Sequence, residues 1–468
     1  MNDTAVIICN YNGGTATIKC VKAVLDSQNI SYDIYIVDNA STDGSVEQLN
    51  ETFGSIVNIL QNPENLGGAG GFGRGLRLAE EKGYPYIMML DNDAYVGKDT
   101  IKKLREYLQE NRDVGIVGAK IMMADDPGRI MDYAKTIDFS NYMDGSKWCG
   151  QLDSEEASIP RDCDFAAATA AMVRREALTR CGGMDEAHFI YYDDIEMSYR
   201  IKLSGFRVVS LGSARAWHES GARRKVSSTF ARYYFARNRH RFFAKYIPET
   251  DIERFIEYIL SKAFSYLYGS YYKGREDIFN TEKYILEDFI RDRRGKAGEG
   301  RINELQTDGY RRIEEILPGT RRVCVHLSEG ATEHSVVKFC CKLWEQEPEA
   351  DVVICTDSDT REKAEKCRMQ LMAVKPENGL YLRVEEHVER EYFDKVIHFG
   401  GHVKDMEENV LPDICIDVHD NMIANEQDYI YFRNYDNAYA FFKAMYHDSI
   451  VETIHRIREE EPPSLTFH

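Results

Sequence analysis

The feature that most constrains this chain is a regular alternation over its first ninety or so residues. Short apolar runs, each about one strand long, are separated by segments with helical spacing. Ala5–Cys9, Asp33–Val37, Val57–Gln61 and Tyr86–Leu90 read as strands, and Thr15–Gln28, Ser45–Phe53 and Gly73–Lys82 as the helices between them. Strands joined through helices lie parallel, and such a sheet is buried on both faces. An α/β fold with a doubly wound parallel sheet is therefore expected. Ligands of such sheets sit beyond the carboxyl ends of the strands. Asn10, Asp38 and Asp91 each stand just past a strand end, so three polar groups should converge on one rim.

Further along, Asp113–Met123 reads as strand and 124–158 as polar and irregular. Ala166–Leu178 reads as a small-residue strand or helix, followed by a helix-like run over Phe189–Ser204 and a strand at Arg207–Leu211 leading to Trp217-His218. At 468 residues the chain is too long for one core. The pattern suggests a first α/β domain over 1–247, a helical linker region over 248–319 and a smaller C-terminal α/β domain over 320–468. Strands of the last are expected at Val323–Leu327, Val352–Cys355, Leu380–Val384, Lys395–Phe399 and Ile414–Val418.

The formal net charge of −19 excludes a general nucleic-acid binder. One segment reverses that sign. From Ala222 to Ile247 there is no acidic residue, while Arg223, Arg224, Lys225, Arg232, Arg237, Arg239, Arg241 and Lys245 interleave with aromatics. A diphosphate, a lipid-linked acceptor or an anionic membrane surface would suit it, and so would a helix that buries its aromatics and solvates its arginines. The 11 cysteines form no CxxC pair, no apolar run approaches the roughly 18 residues of a membrane span, and Met1 leads directly into an apolar strand. A cytoplasmic protein is expected, with at most peripheral contact at the inner face of the membrane. A homo-oligomer is compatible with this.

Five segments carry chemistry. Asp91-Asn92-Asp93 ends an apolar strand, and two carboxylates so spaced can hold Mg²⁺ or Mn²⁺ together with phosphate oxygens. Asp38 begins a turn that also reads as a helix cap before Ser45. The run Asn65-Leu66-Gly67-Gly68-Ala69-Gly70-Gly71-Phe72-Gly73-Arg74-Gly75 is neither a Walker motif nor a dinucleotide fingerprint. It reads as a glycine loop whose backbone approaches an anion, closed by Arg74 as a diphosphate partner. Tyr191-Tyr192-Asp193-Asp194-Ile195-Glu196 opens a helix. It offers Asp194 as a base and Asp193 as a holder of the acceptor hydroxyl, or merely an acidic helix start. His218 follows a strand and could complete a cation's coordination, although a lone histidine is more often structural.

In this order the segments resemble the family 2 glycosyltransferases of the GT-A fold, over roughly residues 4 to 246. The likeness is nearest to bacterial galactofuranosyltransferases, carried by Asn65–Gly71, Asp193-Asp194 and Trp217-His218, with rhamnosyltransferases as near relatives. The resemblance implies a metal-dependent, inverting transferase that moves a sugar from a UDP- or dTDP-sugar to a hydroxyl of a glycan or lipid-linked acceptor in cell-surface polysaccharide synthesis. It implies donor contacts at Asn10, Asp38, Asn65, Gly67, Gly68, Arg74 and Asp91. Asp93 and His218, with Asp91, would ligate Mg²⁺ or Mn²⁺, and Asp194 would be the base. Asn92 departs from the galactofuranosyl pattern, where another acid is usual. Two rivals stand beside this reading. A nucleotidyltransferase would want a basic residue after the first strand, which Cys9-Asn10-Tyr11-Asn12 lacks. A non-catalytic sugar-nucleotide scaffold would suit the C-terminal domain, whose His326, Asp357, Asp359, His398, His402 and His419 show no metal-ligand spacing.

Overall fold

The computed structural model describes residues 2–219, 227–306, 317–328, 330–356, 359–386, 388–400, 413–417 and 421–460. Arg223, Arg224, Lys225, Asp357, His402 and His419 lie outside the described residues. The chain divides into two compact units that interleave along the sequence, where the pattern suggests three consecutive spans. One comprises 1–257, 284–304 and 449–468, and the other 258–283 and 305–448. Among the described residues no helix is long and apolar enough to cross a membrane.

The first unit is built on a ten-stranded sheet. Its parallel half is β1 (Thr4–Asn10), β2 (Asp33–Asp38), β3 (Val57–Gln61) and β4 (Tyr86–Asp91). They run in the order β4-β1-β2-β3 and are joined by α1 (Gly14–Leu25), α2 (Ser45–Phe53) and α3 (Gly67–Glu81). Val6, Ile8, Ile36, Met88 and Leu90 face one apolar core, and Ala5, Ile7, Val37, Ile87 and Met89 the other. This is the two-sided burial that the near-continuous apolar strands predict.

Beyond β4 the sheet becomes mixed. The short β5 (Ala94–Val96) is followed by α4 (Thr100–Glu110), β6 (Val114–Met123) and β7 (Ile130–Asp132). The stretch read as irregular holds β7, the hairpin of β8 (Thr136–Asp138) with β9 (Met143–Gly145), and Asp153, which pairs with the buried Lys120 of β6. After β10 (Arg161–Asp162), the segment read as strand or helix is both. β11 (Ala170–Arg174) inserts antiparallel between β4 and β6 and passes into α5 (Arg175–Cys181). Next come α6 (Asp193–Leu203) and β12 (Arg207–His218), which is longer than expected and parallel to β6. α7 (Phe230–Tyr246) closes the run.

The second unit holds a six-stranded sheet in the order β15-β14-β13-β16-β17-β18: β13 (Arg322–Leu327), β14 (Asp351–Cys355), β15 (Leu382–Glu385), β16 (Lys395–Phe399), β17 (Ile414–Ile416) and the antiparallel β18 (Met422–Ile423). The expected strands are present with ends moved by one or two residues.

Candidate active site

The strand ladder itself assembles a candidate cation site. β4 delivers Asp91 at its end, and Asp93 follows in the turn to β5. The last residues of β12 pair antiparallel with β5, Trp217 with Tyr95 and His218 with Ala94. His218 Nε2 therefore lies 3.0 Å from Asp93 Oδ1 and 4.0 Å from Asp91 Oδ2. Ligand atoms of all three residues lie within 4.8 Å of one another. Two carboxylates and an imidazole suit Mn²⁺ or Mg²⁺, with positions left for phosphate oxygens. Burial and the neighbouring charge of Asp93 push the Asp91 carboxyl up, opposed by His218. Burial pushes the His218 imidazole down, but its bond to Asp93 and the charges of Asp91 and Asp93 outweigh this and raise it.

Asp193 and Asp194 arrive at the same rim by another route. They open α6 after a turn in which Phe189, Tyr191 and Tyr192 have φ of 66°, 64° and 67°. Each such residue costs roughly 1–3 kcal/mol. Asp194 is half-buried. Its Oδ2 accepts from the Ala168 N–H at 3.0 Å and its Oδ1 from the Ile195 N–H at 2.8 Å. Burial raises its carboxyl, while those N–H groups and the charge of Lys135 oppose the shift. Asp193 is buried. Burial, and after it the charge of Asp194, push its carboxyl up to about 7. The charges of Asp91, Asp193 and Asp38 all reach Cys9, whose thiol is raised to about 12, mainly by burial. The Asp91 N–H donates to the Thr169 carbonyl at 3.2 Å and the adjacent Ala168 N–H to Asp194, while Asp91 is paired with Cys9, so the two acidic groups meet beside β1.

Asn10 and Asp38 lie beneath the rim at 0% and 1% exposure. Asn10 Nδ2 donates to Asp38 Oδ1 at 2.7 Å, and Ser41 donates to Asp38 through its hydroxyl at 2.6 Å and its N–H at 3.0 Å. Asn92 turns inward, donating to Thr17 Oγ1 at 3.0 Å and Asn10 Oδ1 at 3.3 Å. The central residue of the D-x-D thus braces β1 rather than facing a cation, which accounts for an amide there.

The glycine run is a helix, not a loop. α3 begins at Gly67, six residues earlier than the pattern suggests, and its glycines form a packing face. A Cβ on Gly71 would stand 2.2 Å from Cys9 Sγ, and one on Gly75 2.2 Å from Ile7 Cγ2, so the helix lies directly on β1. Gly67, at φ 73°, leaves no room for a Cβ because the Phe189 carbonyl oxygen is 2.0 Å from that position. Gly68 is the exception: a Cβ there would meet only Ile190, at 3.9 Å. Asn65 Oδ1 accepts from the Gly67 N–H at 2.8 Å and fixes the helix start. Arg74 leans on the end of β3 through Nη1. Its guanidinium donates to the Gln61 carbonyl at 2.6 Å and to Asn62 Oδ1, because it leaves α3 on the side of β3. Asn62 in turn donates to Asn39 Oδ1 at 2.7 Å, and Asn39 to the Gly67 carbonyl at 2.8 Å.

Part of the basic segment is likewise turned inward. In α7, Arg237, Arg241 and Lys245 are buried together with Tyr233, Tyr234, Phe242 and Phe243. Lys245 Nζ lies 2.7 Å and the Tyr246 hydroxyl 3.0 Å from Glu196 Oε1, and His188 Nε2 lies 3.0 Å from Glu196 Oε2. Burial alone would raise Glu196. The His188 bond and the charges of His188, Lys245 and Arg200 hold it well below the usual carboxylate range. Arg241 pairs with Asp292 at 3.3 Å. These acids are too distant in sequence to have been paired with the cations by inspection. Lys135, whose charge acts on Asp194, also carried no signal in the sequence.

Residues 5–182 match the profile described as Glycosyl transferase family 2, and this segment is a family 2 glycosyltransferase domain. Over 108 residues the chain is 31% identical to the dTDP-rhamnosyl transferase RfbG of Shigella flexneri, covering 22% of this chain and 37% of that one. Over 232 residues it is 21% identical to an N-acetylglucosaminyl-diphospho-decaprenol L-rhamnosyltransferase of Mycobacterium tuberculosis, covering 46% and 75%. The chain thus spans less than half the length of the first of these relatives. Among solved structures, the mannosyltransferase PcManGT of Pyrobaculum calidifontis, in complex with GDP-Man and Mn²⁺, is similar at 18% identity and a TM-score of 0.37 over 52% of this chain and 62% of that one. The mixed α/β sheet and the family match agree with the GT-A-like fold expected from the sequence.

Proposed function

We propose that the chain is a divalent-metal-dependent, inverting glycosyltransferase of cell-surface polysaccharide synthesis. The observation that carries this reading is the meeting of Asp91, Asp93 and His218 with the Asp193-Asp194 turn at one end of the sheet, where the Asp91 N–H donates to the Thr169 carbonyl at 3.2 Å and the adjacent Ala168 N–H to Asp194 at 3.0 Å. Asp91, Asp93 and His218 would hold Mn²⁺ or Mg²⁺. A cation bound there neutralises charge on the departing nucleoside diphosphate. Asn65 and Gly67 set the start of α3; with the Gly67 and Ala69 N–H groups taken by Asn65 and the Phe189 carbonyl, the diphosphate would meet the helix start at the open Gly68. Asn10 and Asp38 shape the floor on the nucleoside side. Asp194, the more exposed of the acidic pair, takes the proton of the acceptor hydroxyl as that oxygen attacks the anomeric carbon. Asp193 orients the acceptor.

Of the donors expected from the sequence, dTDP-rhamnose ranks above a galactofuranosyl nucleotide, because two relatives are named as rhamnosyltransferases. The test is Mn²⁺-dependent release of dTDP from dTDP-rhamnose in the presence of a synthetic N-acetylglucosaminyl-diphospho-lipid, with a UDP-galactofuranose arm alongside. NMR of the product then gives the anomeric configuration. Retention of configuration, or turnover undiminished by EDTA, overturns the mechanism.

A further inference from the structure

The turn that presents Asp193 and Asp194 does not hold itself. Its left-handed residues Phe189, Tyr191 and Tyr192 carry side chains that favour the opposite sign of φ. α7 packs one amide against them. Asn238, buried at 4% exposure, directs Nδ2 at three carbonyls: His188 at 3.0 Å, Ile190 at 2.8 Å and Tyr191 at 2.9 Å. Its Oδ1 accepts from Arg237 Nε at 3.1 Å, and Arg237 Nη2 donates to the His188 carbonyl at 3.3 Å. The orientation of the amide is thereby decided, because the reverse would set its oxygen against three carbonyl oxygens. From the other side the Ala69 N–H donates to the Phe189 carbonyl at 3.1 Å. The carbonyls of residues 188 to 191 are therefore taken in sequence. Rotating any of these peptides toward the common φ region would swing a buried carbonyl off its donor.

We infer that Asn238 is a positioning residue for the transfer reaction: it locks the strained 189–192 turn and so sets where the Asp193 and Asp194 carboxylates stand relative to the Asp91–Asp93–His218 cluster. This inference rests on the transferase reading above. Asn238 touches no candidate ligand-binding group, so its effect should fall on the chemical step. A misplacement of about 1 Å at a reacting group costs on the order of 100-fold in rate.

The test uses the full chain, dTDP-rhamnose, Mn²⁺ and the synthetic N-acetylglucosaminyl-diphospho-lipid. Asn238→Ala is expected to lower kcat about 100-fold while donor KM and Mn²⁺ affinity stay within about 2-fold. Hydrogen exchange should quicken at 188–194 while β1 and β4 stay protected. Asn238→Asp keeps the shape but removes the donors at neutral pH, and should lose at least as much. A kcat within about 3-fold of wild type in either variant overturns the proposal. So does a loss shared equally by Mn²⁺ affinity and global exchange protection. Should both variants fail to fold, wild-type exchange decides: amides of 189–192 protected like the neighbouring helix uphold the lock, and exchange at the rate of an open turn overturns it. A wild type with a protected turn, loosened in the variants, but no transfer to any acceptor would sink the transferase reading and leave the lock standing.

Discussion

Asp91 and His218 stand at strand ends and Asp93 in the short turn between β4 and β5, whereas Asp193 and Asp194 reach the rim through a turn with three left-handed residues. In the first region the backbone hydrogen-bond ladder does the placing, and no residue is strained. In the second, strain is tolerated because α7 and the start of α3 supply donors to the turn's carbonyls. A cation needs only convergent ligands of the right charge, and a ladder supplies these cheaply. A base must stand at one distance and angle from a reacting oxygen, and such placement is where strained backbone tends to be kept.

This contrast is broken or sharpened by four measurements. The largest effect is expected from Asp194→Asn, which should cut transfer by about 10³-fold while Mn²⁺ and donor binding persist. Wild-type turnover would remove Asp194 from the chemistry. Next, Asp93→Asn or His218→Ala should weaken Mn²⁺ binding, read by electron paramagnetic resonance, by about 100-fold or more without altering exchange at 188–194. In the wild type that binding should also weaken as pH falls, because the metal requires the neutral imidazole and the raised His218 keeps its proton to a higher pH than an ordinary imidazole. Third, Gly71→Ala should destabilise the fold by about 1–3 kcal/mol through overpacking against Cys9, whereas Gly68→Ala should leave Tm unchanged and weaken donor binding several-fold. Equal loss of stability in both would make Gly68 one more packing glycine.

The smallest effect is a pH slope. The Asp193 carboxyl is ordinary in the unfolded chain and raised to about 7 in the fold. The native state therefore binds this proton more tightly, and between about pH 4 and 7 the unfolded state holds fewer protons. Stability from this group falls as pH rises through that window. Asp193→Asn, a mimic of the protonated form, should flatten the slope, as seen in Tm measured across the range without metal. An unchanged slope would place the titration elsewhere.

The strand–helix alternation and the polar strand ends were legible in the sequence because both are written in local periodicity. So were Asp91, Asp93 and His218, once a strand could be read before each. The glycine run misled for a physical reason. Glycine disfavours helix by about 1 kcal/mol per residue, so six of them within nine residues argue locally for a loop. Close packing on Ile7 and Cys9 overrides that preference, and no local rule contains it. The basic segment misled because its acidic partners, Glu196 and Asp292, stand some fifty residues away on either side. Asn238 was silent, since one asparagine in a basic helix says nothing until the carbonyls it meets are known.

The pairing of β5 with the end of β12 has a further consequence. Trp217–His218 and Ala94–Tyr95 are registered by main-chain pairing. If the proposed metal-dependent transfer holds, chelation should therefore silence the molecule without loosening it. An apo form kept for hours would regain turnover on the timescale of ion diffusion rather than refolding, a reversible switch whose setting is the metal content of the surrounding fluid.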